Sequence, residues 1–225
     1  MTNMSSSGGR SIDRARTEET RPAPAPLQRA VMPPHPRRIL VADDEHLVAT
    51  SIALSLAELG YVTVGPAGDG ERAMQLARVA MPDLALLDIR MPRRDGISAA
   101  AEMFTELAVP VVIVSAFSDS ADVVSASRAG VFGYLVKPAT TEQLRAAIEV
   151  AWGRFCQLVA AQRESSDLRR RLEERKAIER AKWALVESLS ITEPAAMDLL
   201  RQRARDSRRT LIDVAIEVLK DRAVE

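Results

Sequence analysis

Cysteine is almost absent: among 225 residues only Cys156 is found. That excludes an internal disulfide framework and a cysteine-based zinc site. Histidine is nearly as scarce, with His35 in a proline-rich stretch and His46 beside an acidic pair. Neither has a partner cue, and His46 reads as a solvated first-turn residue. Long apolar runs are missing. The longest, Val109–Phe117, is far short of the ~20 residues that span a bilayer. No apolar signal core backs the N-terminal charges, so the expectation is a cytoplasmic protein with no membrane partner. An excess of either charge is missing too, with 31 basic and 31 acidic side chains. Whole-chain charge therefore says nothing about a polyanionic partner. What is present is 47% apolar and 28% charged residues, ordinary for a globular chain. The length suits one large or two small domains of roughly 100–200 residues each.

Residues 1–36 read as a disordered tail. They hold Ser5-Ser6-Ser7-Gly8-Gly9 and six prolines, with few apolar residues at any period, so ordering them is not offset by burial. From Arg38 the pattern changes. Ile39–Ala42, Tyr61–Val64, Leu84–Leu87, Val111–Val114 and Tyr134–Val136 are short apolar runs, as in strands buried on both faces. Helical spacing falls between them, at Leu47–Leu59, Glu71–Val79, Ile97–Leu107 and Ala121–Ala129, and another helix starts near Thr141. This alternation predicts an α/β unit with a five-stranded parallel sheet.

In such sheets, ligands gather at the carboxyl ends of the strands. There the sequence places Asp43 and Asp44, then Asp88, Ser115 and Lys137. Three carboxylates in one crevice repel one another unless a cation joins them. Mg²⁺ prefers one or two carboxylates completed by water and phosphate oxygens. A carboxylate is also a nucleophile for phosphoryl transfer. That chemistry needs little beyond positioning and charge neutralisation, which Lys137 and Ser115 can supply.

Residues 38–150 resemble the receiver domain of two-component response regulators. The matching stretches are Ile39-Leu40-Val41-Ala42-Asp43-Asp44-Glu45, Leu87-Asp88-Ile89-Arg90-Met91-Pro92 with Asp95-Gly96, Val114-Ser115-Ala116, and Tyr134-Leu135-Val136-Lys137-Pro138. The resemblance implies a flavodoxin-like fold over 37–140 with Asp88 as phosphoacceptor. It implies Mg²⁺ held by Asp44, Asp88 and the Arg90 backbone carbonyl, with Asp43 acting largely through water. Lys137 would contact the phosphoryl group, Ser115 and Tyr134 would form a switch pair, and Lys137-Pro138 would be cis. A sensor histidine kinase would be the phosphodonor, and the protein would not be an enzyme acting on a separate substrate.

Beyond Thr141 the strands stop. Leu144, Ile148, Ala151, Phe155 and Leu158 are spaced 4, 3, 4, 3, a heptad seam. It weakens at Gln162 and Ser165 and resumes at Leu168 and Leu172, predicting an extended coiled-coil helix over 141–175 that pairs with a second copy. Residues 176–225 then read as an all-α three-helix unit: Ile178–Leu189, Ala195–Arg205 capped at Thr192, and Leu211–Val224 opened by a Thr210/Asp213 capping box. Arg201, Arg203, Arg205, Arg208 and Arg209 cluster within it, although 177–225 as a whole carries nine basic and nine acidic residues. Composition leaves a solvated face and an anion site equally open.

Residues 168–223 resemble the ANTAR domain, an RNA-binding module of antiterminators. The likeness rests on Arg180-Ala181-Lys182, Leu185, Thr192-Glu193, Ala195-Ala196, Leu200-Arg201, Ala204, and Arg208-Arg209 before Leu211, Asp213, Val214 and Ala215. Trp183 departs from it, standing where the family often has glycine. Packing is the expected role of Trp183, as of Trp152, with base stacking the other reading. The resemblance implies a homodimer on activation that binds RNA hairpins in transcript leaders through Lys182, Arg201, Arg205, Arg208 and Arg209, with the transcribing polymerase as a further partner. Two alternatives stay open: a DNA-binding regulator, against which the mostly apolar third helix speaks, and a signalling adaptor without nucleic acid.

Overall fold

A computed structural model describes residues 33–116 and 130–222. The tail expected at 1–36 is outside the described residues except for its last four, as are the helix expected at Ala121–Ala129 and the last three residues of the chain. The elements run β1 (Arg38–Ala42), α1 (His46–Glu58), β2 (Val62–Ala67), α2 (Gly70–Ala80), β3 (Leu84–Leu87), α3 (Gly96–Glu102, continued by a π-helical turn at Met103–Leu107), β4 (Val111–Ser115) and β5 (Val131–Val136). The helices α4 (Thr141–Leu189), α5 (Glu193–Ser207) and α6 (Leu211–Arg222) follow.

The strands pair in parallel in the order β2-β1-β3-β4-β5, the doubly wound arrangement. Side chains alternate through the sheet with period two. Leu40, Ala85, Leu87, Val111 and Ile113 join the core under α2 and α3. Ile39, Val41, Leu84, Leu86, Val112 and Val114 join the opposite core with α1 and the start of α4. β5 breaks the alternation: Val131 pairs with Val111 and Gly133 with Val112, leaving Phe132 as an extra residue. The irregularity puts Val131 and Tyr134 on the α2/α3 side and Phe132 and Leu135 on the other, and it carries the strand three residues upstream of its expected start.

The π turn and the long helix explain two further departures. α3 ends one turn earlier than the apolar spacing suggests, because 103–107 widens to a π turn that ends on left-handed Ala108. α4 opens with a capping box between Thr140 and Gln143 and runs unbroken for 49 residues, so no helix end separates the expected coil at 141–175 from the first helix of the C-terminal unit. The seam also needs correcting. Leu144, Ile148 and Ala151 close the α1 face of the sheet, and Phe155 packs with Trp152, Val159, Phe104 and Phe132. These residues lie inside their own domain because the sheet needs a second helix on that face. Only after Val159 does the helix lose contact with the sheet, and Leu168 and Leu172 are exposed.

At its far end α4 buries Ala181, Ala184 and Leu185 against Ala196 and Leu200 of α5 and Val214, Ala215 and Val218 of α6. α5 follows Thr192, with Pro194 in its first turn. α6 begins with the expected reciprocal bonds between Thr210 and Asp213.

Candidate functional site

Four parallel strands, β1, β3, β4 and β5, and their following turns build the pocket. Asp43 leaves β1 with its N–H bonded to the Ala67 carbonyl, and Asp88 leaves β3 bonded to the Ala42 carbonyl. Lys137 leaves β5 bonded to the Ser115 carbonyl at the end of β4. Each strand end is thus tied to its neighbour, and the polar side chains project into one opening. Asp44, Glu45, Asp88, Arg90, Ser115, Ala116 and Lys137 line a cavity of about 240 Å³.

The Lys137 ammonium lies 2.7 Å from Asp43, 3.4 Å from Asp88 and 3.7 Å from Glu45. Asp43, Asp88 and Ser115 are buried, and Asp44 is exposed. Burial holds the Asp88 carboxyl above its ordinary value: Lys137 pulls it down, Asp43 pushes it up, and desolvation prevails. Burial alone would lower Lys137, but the carboxylates of Asp43 and then Asp88 outweigh it and hold the ammonium above its usual range. Carboxylate oxygens of Asp43, Asp44 and Asp88 fall within 4.8 Å of one another. Asp43 Oδ2 is buried without a well-directed hydrogen bond, although the Lys137 charge is close. Three converging oxygen donors, one of them under-satisfied, suit a hard divalent cation.

The turn after Asp88 is shaped by a glycine. Gly96 donates its N–H to the Ile89 carbonyl at 2.9 Å, and a Cβ there would lie 1.9 Å from the Asp88 carbonyl oxygen. Only glycine lets α3, capped by Asp95, press against the peptide of Asp88. Arg93 of the same turn pairs with buried Asp69, the N-cap of α2. Sequence reasoning missed Glu45 and the Asp69–Arg93 pair. Glu45 was adjacent to the acidic pair, but nothing in the spacing linked Arg93 to a loop 24 residues away.

The structure brings together Asp43, Asp44, Asp88, Ser115 and Lys137, as the strand ends suggested, along with Arg90, which the receiver resemblance added. Tyr134 sits one strand face away, half-buried on the α2/α3 core. The Lys137-Pro138 peptide is cis.

The basic end differs more from expectation. Lys182 does not project: it is buried, its ammonium held by Glu179 of its own helix and by Glu193 in the first turn of α5, and these carboxylates raise it above its ordinary value. Lys182 is therefore a clip between α4 and α5, because the turn at Ser190 brings Glu193 back over it. Arg201 lies 3.4 Å from Asp198, and Arg209 pairs with Glu217, all of them exposed. α5 ends at Ser207, so Arg208 stands at the left-handed C-cap, one residue beyond the face that carries Arg201 and Arg205. Trp183, expected to pack, is half-exposed, whereas Trp152 is buried with its indole N–H on the Pro33 carbonyl.

Comparison with known proteins follows these two regions. Residues 39–149 match the family described as response regulator receiver domain, and residues 166–219 match the ANTAR domain. Over 185 residues the chain is 44% identical to transcriptional regulatory protein PdtaR of Mycobacterium tuberculosis, covering 82% of this chain and 90% of that one. Regulatory protein AtoC of Escherichia coli is 32% identical over 169 residues, which is 75% of this chain and 34% of that one. Among solved structures, the signal receiver domain of a modulated diguanylate cyclase from Desulfovibrio desulfuricans matches at TM-score 0.51 and 31% identity, covering 55% of this chain and 98% of that one. No helix among the described residues is long and apolar enough to cross a membrane. The chain belongs to the response regulators that join a receiver domain to an ANTAR domain.

Proposed function

We propose that this response regulator accepts a phosphoryl group on Asp88 and, through its C-terminal helices, binds hairpin RNA in transcript leaders so that transcription continues. The observation that carries this reading is an acidic pocket around Asp88 in a receiver domain whose sheet packs on the start of α4, with the ANTAR unit at the far end of the same unbroken helix.

A carboxylate oxygen of Asp88 bonds to phosphorus as the bond to the donor, a sensor histidine kinase or a small phosphodonor, breaks. Asp43, Asp44, Asp88 and the Arg90 backbone carbonyl would hold Mg²⁺, which when bound neutralises charge on the phosphoryl oxygens. Lys137 sets its ammonium beside the same oxygens, 3.4 Å from the carboxylate before transfer. The Ser115 hydroxyl, buried at the pocket wall, donates to the phosphoryl group, and Tyr134 changes its burial in response. The unit over 37–140, with the α4 turns as far as Val159 packed on it, is the receiver. The helix beyond pairs with a second copy on activation, and 176–225 meets the RNA. The protein works in the cytoplasm, on transcripts still held by the polymerase, and turns over no separate substrate.

Arg201, Arg205, Arg208 and Arg209 form the phosphate-contacting set. The exposed ion pairs of Arg201 and Arg209 are weak, so a polyanion displaces them readily. Four contacts give a log affinity that falls with log salt at a slope of about −3, at roughly −0.7 per contact for single strands. A gel shift of hairpin RNA against duplex DNA tests the reading. Hairpin-selective binding supports it, equal or better DNA binding favours a DNA-directed regulator, and no nucleic-acid binding in either phosphorylation state favours an adaptor.

A further inference from the structure

We propose that Trp183 is a stacking platform for an unpaired base of the bound RNA, placing part of the RNA surface on α4 as well as on the arginines of α5. The proposal rests on the RNA reading and adds a contact to it. Trp183 is 51% exposed, although Ala181, Ala184 and Leu185 on either side of it are buried in the three-helix core. Its ring therefore points away from that core and is not needed to close it. The Lys182 ammonium lies 5.9 Å from the ring centroid, within the range of a cation–π contact.

The same stripe of α4 carries Leu172 and Lys176, eleven and seven residues upstream of Trp183, with Arg180 beside it. Leu172, Arg175, Lys176, Glu179 and Arg180 line a shallow cavity of about 410 Å³. Its apolar floor is rimmed by cations. Residues 169–183 hold seven basic side chains against three acidic ones. A flat aromatic beside a basic, partly apolar groove suits single-stranded nucleic acid: bases stack on the ring while cations follow the backbone. A second copy pairing through Leu168 and Leu172 reaches only the upstream end of the stripe. Continued in register toward the ring, a parallel pair would set each residue against its own counterpart, Lys176 against Lys176 and Arg180 against Arg180. A polyanion neutralises those charges instead.

The test uses the full-length chain, with and without a small phosphodonor, and a hairpin RNA with an unpaired loop alongside a fully paired RNA of the same length. Trp183→Ala should weaken hairpin binding about tenfold without changing the salt slope, because stacking releases no counterions. Trp183→Phe should keep most of the affinity. In Trp152→Phe, where Trp183 is the remaining indole, the unpaired loop should quench fluorescence and the paired RNA should not. Should Trp152→Phe fail to fold, the Ala and Phe variants at position 183 still decide. Hairpin binding undiminished in Trp183→Ala overturns the proposal and leaves the RNA reading standing. Fluorescence that changes with protein concentration in the absence of RNA overturns it in favour of a second copy. A wild type that binds no hairpin RNA removes both.

Discussion

Lys137 and Lys182 each set an ammonium among carboxylates, three around Lys137 and two around Lys182, and the sequence marks both as ligand-contacting. Their acids differ. Around Lys137, Asp43 and Asp88 are themselves buried, and Asp88 lies at the wall of an open cavity. Around Lys182, Glu179 and Glu193 are half-exposed, and the shallow cavity that Glu179 lines is not lined by Lys182. In the first case the carboxylates are costly to keep together and the lysine lowers that cost while leaving room for a phosphoryl group. In the second, solvent already screens the acids and the lysine only ties two helices. A lysine near acids thus becomes a site when the acids, not the lysine, are the buried members.

The sharpest way to break that comparison is to remove each group in turn. Asp88→Asn should abolish labelling by a small phosphodonor, and acid-stable labelling at the wild-type level would show the acceptor to be elsewhere. Lys137→Met should leave a labelled product but slow its formation at least about 100-fold, the scale of losing one preorganised charge-stabilising donor. Lys182→Met should label at the wild-type rate and instead lower the thermal midpoint of the C-terminal helices. Labelling that falls equally in both lysine variants would mean that Lys182 also serves the phosphoryl pocket.

A smaller effect contrasts two glycines. Gly96→Ala places a Cβ 1.9 Å from the Asp88 carbonyl oxygen, backbone that cannot swing aside, so overpacking should cost about 1–3 kcal/mol and slow phosphoacceptance by shifting the turn. Gly153→Ala in α4 meets nothing within 4 Å and should stabilise by roughly 0.5–1 kcal/mol, the helix penalty of glycine. Denaturant unfolding of both variants checks the opposite signs.

How much of this was legible in the sequence follows from which distances spacing encodes. Asp43, Asp88, Ser115 and Lys137 were legible because each directly follows an apolar run, buried in β1, β3 and β4 and only half-buried in β5, and parallel strands bring those ends together whatever lies between. The helix seam was ambiguous for a physical reason: 4-3 spacing marks any helix with one apolar stripe, whether it faces a second copy or its own sheet. The structure assigns Leu144, Ile148, Ala151 and Phe155 to the sheet, so Phe155→Glu would unfold the receiver and cannot test pairing. Leu168→Glu with Leu172→Glu is the appropriate variant: both side chains are exposed, and sedimentation should show a phosphorylated wild-type dimer reduced to a folded monomer. Lys182 was misread because helical spacing gives its direction on α4 but not the return of Glu193 across the turn at Ser190. The start of β5 was missed because the extra residue Phe132 interrupts the alternation by which a strand is recognised.

The smallest expected effect concerns pH and separates the two lysine sites once more. Desolvation raises Asp88 above its ordinary value despite the pull of Lys137. A carboxyl raised on folding binds its proton more tightly in the native state, so its contribution to stability is present at low pH and is lost as pH rises through the raised value. Without Mg²⁺, the ionised Asp88 is therefore a liability at neutral pH. Asp88→Asn keeps the shape and removes the charge, so it should raise the thermal midpoint of the receiver at pH 7. The gain should shrink toward zero as pH falls below the ordinary carboxylate range, where the native aspartic acid is neutral as well. Asp43 and Glu45 also face Lys137, so the ammonium retains acidic partners in the variant, and the comparison isolates Asp88. Adding Mg²⁺ should reverse the order at pH 7, stabilising the wild type more than Asp88→Asn, because the cation gains one more carboxylate there. Replacing Glu193 by Gln at the Lys182 clip should have the opposite sign at pH 7, a loss, and no response to Mg²⁺. Thermal melts of the two variants across pH, with and without the cation, decide the matter. An Asp88→Asn protein less stable than the wild type at pH 7 without Mg²⁺ would mean that attraction to Lys137, not burial, governs that carboxylate.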